Sequence, residues 1–336
     1  MDVDVGLKTT TGTPPGVDEF RPDASEATSL ASLVQHVSAA GWVDESGLLD
    51  YASTITADQL PERLELLLQR LIRGESQVLV VRALSHDPVK IPATPSDYTT
   101  RTEYVGELRV AQAILLSRLG YPFGFAKQQF GRVFNDIVPV ERFQEVANIS
   151  GGTRHRFDFH TEDAFHPARP QWFSLVAIRN TRLVPTQLAI PDVDRLSQDC
   201  VRILGQPLFK LGANPMQGGP TASPAESESV IFPGRIGPAF RFNFCFEDAP
   251  SLTTAQSVAL AELYDELQQS EFAVTLSSGD CLLFDNERVF HAREPYEARF
   301  DGGDRWLSRA VAADAKSRLD GFFVEGSSRS VAPVSR

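Results

Sequence analysis

The chain has 336 residues, 42% of them hydrophobic and 23% charged, an ordinary composition for a folded protein with a sizeable core. Thirty-two basic residues against 44 acidic ones leave a formal charge of −12, which argues against a nucleic-acid or anionic-membrane surface. Cys200, Cys245 and Cys281 are far apart and odd in number, no apolar run approaches the ~18 residues of a membrane span, and no signal core follows Met1, so the expectation is a soluble, cytoplasmic protein without a disulfide framework or thiolate zinc site.

Residues 1–22, rich in Thr, Gly and Pro, read as a flexible tail. Asp23-Ala-Ser-Glu26 has the form of a capping box and opens a helix to about Ala40. Leu60, Leu64, Leu67 and Leu71 recur on one face of a second helix, closed by Gly74, and Gln77–Arg82 reads as a buried strand. A third helix is expected over Thr102–Leu119, with Val105, Leu108, Leu115 and Leu119 on one face. From Phe123 the pattern changes to short β-type runs at 132–138, 172–178, 239–246, 272–276 and 280–284, with helical patterns near 191–204 and 253–269. Residues 212–238 have no periodicity and read as a lid, while 317–336 read as a C-terminal extension, loose from Gly326 onward. The expected architecture is α+β, one domain over 23–316: a mainly helical 23–120, then a jelly-roll core over 121–316 with helices packed outside.

Chemistry concentrates in Phe157-Asp-Phe-His-Thr-Glu162. His160 and Glu162 are two apart, so on a strand both point to the same face. Together they form two corners of a 2-His-1-carboxylate facial triad, which leaves positions open on a non-haem Fe(II). Six histidines among 44 acids produce about 0.8 such pairs by chance, so this motif alone is weak. Residues 278–291 strengthen it, reading as a strand, a tight Asp-Asn turn and a second strand that brings His291 back as the third ligand. Beyond it lie Arg293, Arg299, Arg305 and Arg309, interleaved with Glu294, Glu297, Asp301 and Asp304 as in a balanced, solvated charge run. Arg305-Trp-Leu-Ser-Arg309 departs from that reading. Its even spacing puts both arginines on one face of an apolar strand, where guanidinium forks suit carboxylates.

His160-Thr-Glu-Asp-Ala-Phe165, Arg179-Asn180, Phe284-Asp-Asn286, His291 and Asp301–Arg309 together resemble the clavaminate synthase-like Fe(II)/2-oxoglutarate oxygenases. The nearest pattern is that of the free-amino-acid hydroxylases, such as the viomycin-type arginine β-hydroxylase and asparagine oxygenase. The similarity runs from about Phe123 to Ala313. It implies a double-stranded β-helix and iron ligation by His160, Glu162 and His291. It further implies that Arg305, helped by Thr186, takes the C5 carboxylate of 2-oxoglutarate, and that Arg309 takes the substrate α-carboxylate. Gln129 and Ser150 match positions that hold the amino-acid backbone end. The arginine hydroxylases carry two aspartates where this chain has Asn243 and Cys245.

The leading reading is therefore a dioxygenase that uses Fe(II), 2-oxoglutarate and O2 to hydroxylate an unactivated C–H, at C3, of a free L-amino acid or close derivative. A zinc hydrolase built on the same three ligands has no use for Arg305. A non-catalytic jelly-roll module holding a carboxylate has no use for a triad with open metal positions. His155 and His166 read as loop histidines, and Cys200 and Cys281 as small core residues. An amino-acid side chain facing Asn243 and Cys245 is expected to be neutral or moderately polar, since a buried cation needs a carboxylate partner.

Overall fold

The computed structural model describes residues 14–98, 106–211, 227–246 and 252–333. Strand β1 (Val17–Phe20) leads into helices α1 (Ala24–Ser38), α2 (Glu45–Ala52) and α3 (Glu62–Arg73), followed by β2 (Val78–Val81) and α4 (Glu107–Leu119). Strands β3 (Tyr121–Phe125), β4 (Asn135–Ile137), β5 (Phe157–His160), β6 (Trp172–Arg179) and β7 (Thr186–Ala189) precede α5 (Gln198–Leu204). The hairpin β8 (Ile231–Gly234) and β9 (Gly237–Phe240) comes next, then α6 (Thr254–Ser270) and β10 (Glu271–Val274). Strands β11 (Cys281–Asp285), β12 (Phe290–Arg293), β13 (Trp306–Ala313) and β14 (Ser330–Val331) follow.

The strands form a mixed α and β architecture with one eight-stranded sheet, one four-stranded sheet and the separate β8–β9 hairpin. The large sheet runs β1-β2-β11-β6-β13-β3-β14, with β4 paired to the other end of β13, and the small sheet runs β10-β7-β12-β5. Along β13 successive side chains serve opposite faces. Trp306, Ala310 and Ala312 join the apolar cluster under the helices, whereas Leu307, Val311 and Ala313 join the cluster on the other face. Helix α4 lies against β6 and β13 and is buried almost all round from Leu108 to Leu116, so its pattern is more continuous than a one-face reading allows.

Helix α1 begins as its capping box predicts: the Glu26 N–H donates to Asp23 Oδ1 at 2.9 Å and the Asp23 N–H to Glu26 Oε2 at 2.8 Å. On α3 the buried leucines are Leu64, Leu68 and Leu71, with Leu60 buried before the helix and Leu67 only partly covered. Several expectations are corrected. The stretch read as a tail contains β1, whose four residues pair in parallel with β2 and bury Phe20; pairing, not composition, orders it. Helix α2 escaped the sequence reading, being only eight residues long. The run at 132–138 yields only β4, and the run at 239–246 breaks after β9 into a bridge at Asn243 and a 3-10 turn at Phe244–Phe246. The end read as loose carries β14, which pairs with β3, and Arg329, which is buried against Asp50. Of the expected lid, 212–226 lie outside the described residues, while 227–238 include β8 and the start of β9. The expected start of the third helix, at 102–105, also lies outside them. No helix among the described residues is long and apolar enough to cross a membrane.

Candidate active site

His160 ends β5 and faces His291 across the β5–β12 pairing, with ring centroids 4.0 Å apart. Glu162 completes the group: its Oε2 lies 3.6 Å from His291 Nε2, and one donor atom from each of the three residues lies within 4.8 Å of the others. All three are buried. The same-face argument for His160 and Glu162 needs correction, because β5 stops at His160. Glu162 is brought in by Asn286 instead. The Glu162 N–H donates to Asn286 Oδ1 at 2.7 Å, while Asn286 Nδ2 donates to the carbonyls of Glu162 and Pro170 at 3.1 and 2.9 Å. The Asp285–Asn286 turn was legible in the sequence, but this clamp between two distant loops was not.

The electrostatics suit a divalent transition metal. His160 Nδ1 donates to the Asp158 carbonyl at 2.7 Å, which leaves Nε2 with its lone pair. Burial, then the neighbouring His291, pushes the His160 pKa down to about 3, so the imidazole is neutral as a ligand must be. Burial pushes the Glu162 carboxyl up, but the Arg309 guanidinium and then the contact with His291 outweigh it and hold the group ionised. His291 Nδ1 is buried without a hydrogen-bond partner. Two imidazoles and one carboxylate converging from two chain segments fit Fe(II) with further positions open.

The arginines line the same cavity as these ligands. Arg305, just before β13, is buried and donates through Nη2 to Thr186 Oγ1 at 3.1 Å, while its Nε has no partner. Burial pushes its pKa down to about 10. Arg309, on β13, donates to Glu162 Oε1 at 2.6 Å, to Asn135 Oδ1 at 2.5 Å and to Gln128 Oε1, again leaving Nε without a partner. Ser150 and Asn243 also line the cavity, and Asn243 Oδ1 accepts from the Cys245 N–H at 2.9 Å.

Gln129 does not reach this cavity. Its side chain is turned onto the backbone of Asp136, donating to the carbonyl and accepting from the N–H, both at 2.8 Å. Its neighbour Gln128 does not line the cavity itself but contacts two residues that do, accepting from Arg309 and donating to Asp163 Oδ1 at 3.1 Å. A one-residue shift in a loop carries no periodic signal, so adjacent glutamines are indistinguishable in sequence. Cys245 likewise does not line the cavity; its thiol sits 3.3 Å from the Asp158 carbonyl, and burial pushes its pKa up. His155 is exposed, and His166 spends both ring nitrogens on the backbone of Ala332 and Ala168, so neither competes for metal. Arg293, read as part of a solvated charge run, is in fact buried and lines the cavity.

Fold and site together define an Fe(II)- and 2-oxoglutarate-dependent dioxygenase, consuming O2. Residues 51–311 match the family described as "Taurine catabolism dioxygenase TauD, TfdA family", and the chain belongs to that family. It is 33% identical to the enduracididine beta-hydroxylase of Streptomyces hygroscopicus over 81% of this chain and 87% of that one. It is 29% identical to the L-asparagine oxygenase of Streptomyces coelicolor over 70% and 71% of the two chains. Among solved structures, the non-heme iron oxygenase OrfP in complex with Fe and alpha-ketoglutaric acid superposes with a TM-score of 0.81. The two are 27% identical, with 94% of this chain and 99% of that one covered.

Proposed function

We propose that this amino-acid hydroxylase acts at C3 of a free L-amino acid or close derivative, and prefers a neutral or moderately polar side chain to arginine. The two sheets are read as the halves of a jelly-roll core, within one catalytic unit over 23–316 that works in the cytoplasm, where its co-substrate is made. Bound iron supplies the activation of O2, with 2-oxoglutarate oxidised and cleaved to succinate and CO2 as one oxygen atom enters the C–H bond. The chain's part is to hold the reactants still. Arg305 and Thr186 receive the C5 carboxylate of 2-oxoglutarate. Arg309, held in place by Gln128, receives the substrate α-carboxylate, and Ser150 receives the amino end. Asn243 meets the side chain. Fixing the backbone end beside Glu162 leaves the first side-chain carbon as the C–H nearest the metal.

The observation that carries the reading is Arg309, a largely covered guanidinium that contacts a metal-ligand carboxylate and whose buried Nε still has no hydrogen-bond partner. The charge of the cavity carries the preference. Three guanidiniums, Arg293, Arg305 and Arg309, line it against the carboxylates Glu162 and Asp163. Glu162 is engaged by Arg309 and Asp163 by Gln128. A cationic side chain entering there meets three fixed guanidiniums and pays several kcal/mol of desolvation. The enduracididine and arginine hydroxylases among the relatives act on basic amino acids, which makes the contrast testable. In a panel of free L-amino acids with enduracididine, read by succinate release and a mass gain of one oxygen, asparagine- or glutamine-like substrates should exceed arginine in kcat/KM. Arginine, lysine or enduracididine outrunning every neutral substrate sinks the preference, and turnover of no amino acid sinks the reading.

A further inference from the structure

The buried arginines of this protein are of two kinds. Arg109 and Arg329 each contact a carboxylate, those of Asp136 and Asp50, as the partly covered Arg309 does that of Glu162. Arg305 and Arg293 have no carboxylate oxygen within 4.0 Å among the described residues. Arg305 already has a reading as an anion receptor. Arg293 has none. It is 6% exposed, and its guanidinium lies 5.3 Å from the centroid of the Tyr296 ring. Nη1 donates to the Ser150 carbonyl at 3.3 Å and Nη2 to the His155 carbonyl at 3.2 Å, while Nε has no partner. Carbonyls satisfy donors but do not neutralise a charge, and an uncompensated interior cation is costly unless an anion arrives. The acid next to it, Glu294, is turned to Arg156.

Position says which anion. His291 and Arg293 are two apart on β12 and both line the cavity. The β12–β7 pairing ends with Ala292 opposite Gln187, so Arg293 and Thr186 are the next residues along the two strands, and both line the cavity. Thr186 is the residue that holds Arg305. One end of the cavity thus collects two guanidiniums and a hydroxyl, while Glu162 is committed to Arg309. We propose that Arg293 is a second receptor for the distal carboxylate of 2-oxoglutarate, and that with Arg305 it makes the enzyme choose a dicarboxylic over a monocarboxylic 2-oxo acid.

The test is binding, independent of which amino acid is the substrate. Affinities of the Fe(II)-loaded protein for 2-oxoglutarate and for 2-oxovalerate, which has the same chain length without the distal carboxylate, are measured anaerobically by calorimetry. Arg293→Gln removes the charge while keeping an amide donor that can still serve a carbonyl. It should weaken 2-oxoglutarate at least about tenfold, as loss of a charge-assisted contact does, and leave 2-oxovalerate within about twofold. Unchanged 2-oxoglutarate affinity overturns the proposal. So does an equal loss for both acids, which would make Arg293 only a clasp on the loop of Ser150 and His155. Should that variant not fold, a crystal structure of the wild-type holoenzyme with 2-oxoglutarate decides the point. A guanidinium nitrogen at ion-pair distance from the distal carboxylate supports the assignment, and a gap well beyond about 4 Å removes it.

Discussion

The two faces of β13 hold buried arginines in opposite ways. On the helix side Arg109 contacts Asp136, whose carboxylate also accepts from Trp306 Nε1 at 2.7 Å and pairs with Arg132 at 3.3 Å, while Gln129 ties down its backbone. On the cavity side Arg305 has one hydroxyl for a partner and Arg293 two carbonyls. In the first cluster the guanidiniums have a carboxylate within the chain. The second is short of negative charge and is completed only by a ligand. A buried charge with its partner present is architecture, whereas one without a partner stores part of a binding site at a cost in stability.

That contrast can be broken most forcefully at the metal. His160→Ala or His291→Ala should abolish tight Fe(II) binding and the visible band that forms anaerobically with Fe(II) and 2-oxoglutarate, while His155→Ala and His166→Ala keep both. The reverse outcome would mean that the triad is misassigned. Next in size, Arg305→Met should weaken 2-oxoglutarate by about 3–5 kcal/mol without lowering the Tm of the ligand-free protein, since it removes an unpaired buried charge. A fall in Tm of several degrees would place Arg305 among the architectural arginines instead.

Asp136→Asn should do the opposite, destabilising the fold by about 3–5 kcal/mol because it leaves Arg109 buried without its carboxylate. The 2-oxoglutarate affinity of the molecules that remain folded should be unchanged; a selective loss of affinity would mean that the two faces are not separable. Asn286→Ala should cost about 1–3 kcal/mol in stability, from unsatisfied buried groups at Glu162 and Pro170, and about tenfold or more in Fe(II) affinity. Wild-type metal affinity in that variant would show that Glu162 needs no clamp. The smallest effect separates neighbours: Gln128→Ala should raise the amino-acid KM several-fold more than Gln129→Ala, and equal effects would undo the distinction drawn from their contacts.

What was readable from sequence follows from where its signals are local. The capping box of α1, the leucine face of α3 and the apolar runs of β6 and β11 need only neighbouring residues, and they appear within a few residues of their expected bounds. The triad was readable because its residue types are rare and chemically narrow, and Arg305 and Arg309 because their even spacing on one apolar strand puts both at the cavity. Strands β1 and β14 were not readable, since a strand of two to four residues is stabilised by its partner rather than by its own composition. Nor were the clamp of Asn286 on Glu162, the choice of Gln128 over Gln129, or the burial of Arg293 in what looked like a solvated run. Each depends on which segment, distant in the chain or offset by one residue, comes to lie against it, and only the packing of the two sheets decides that.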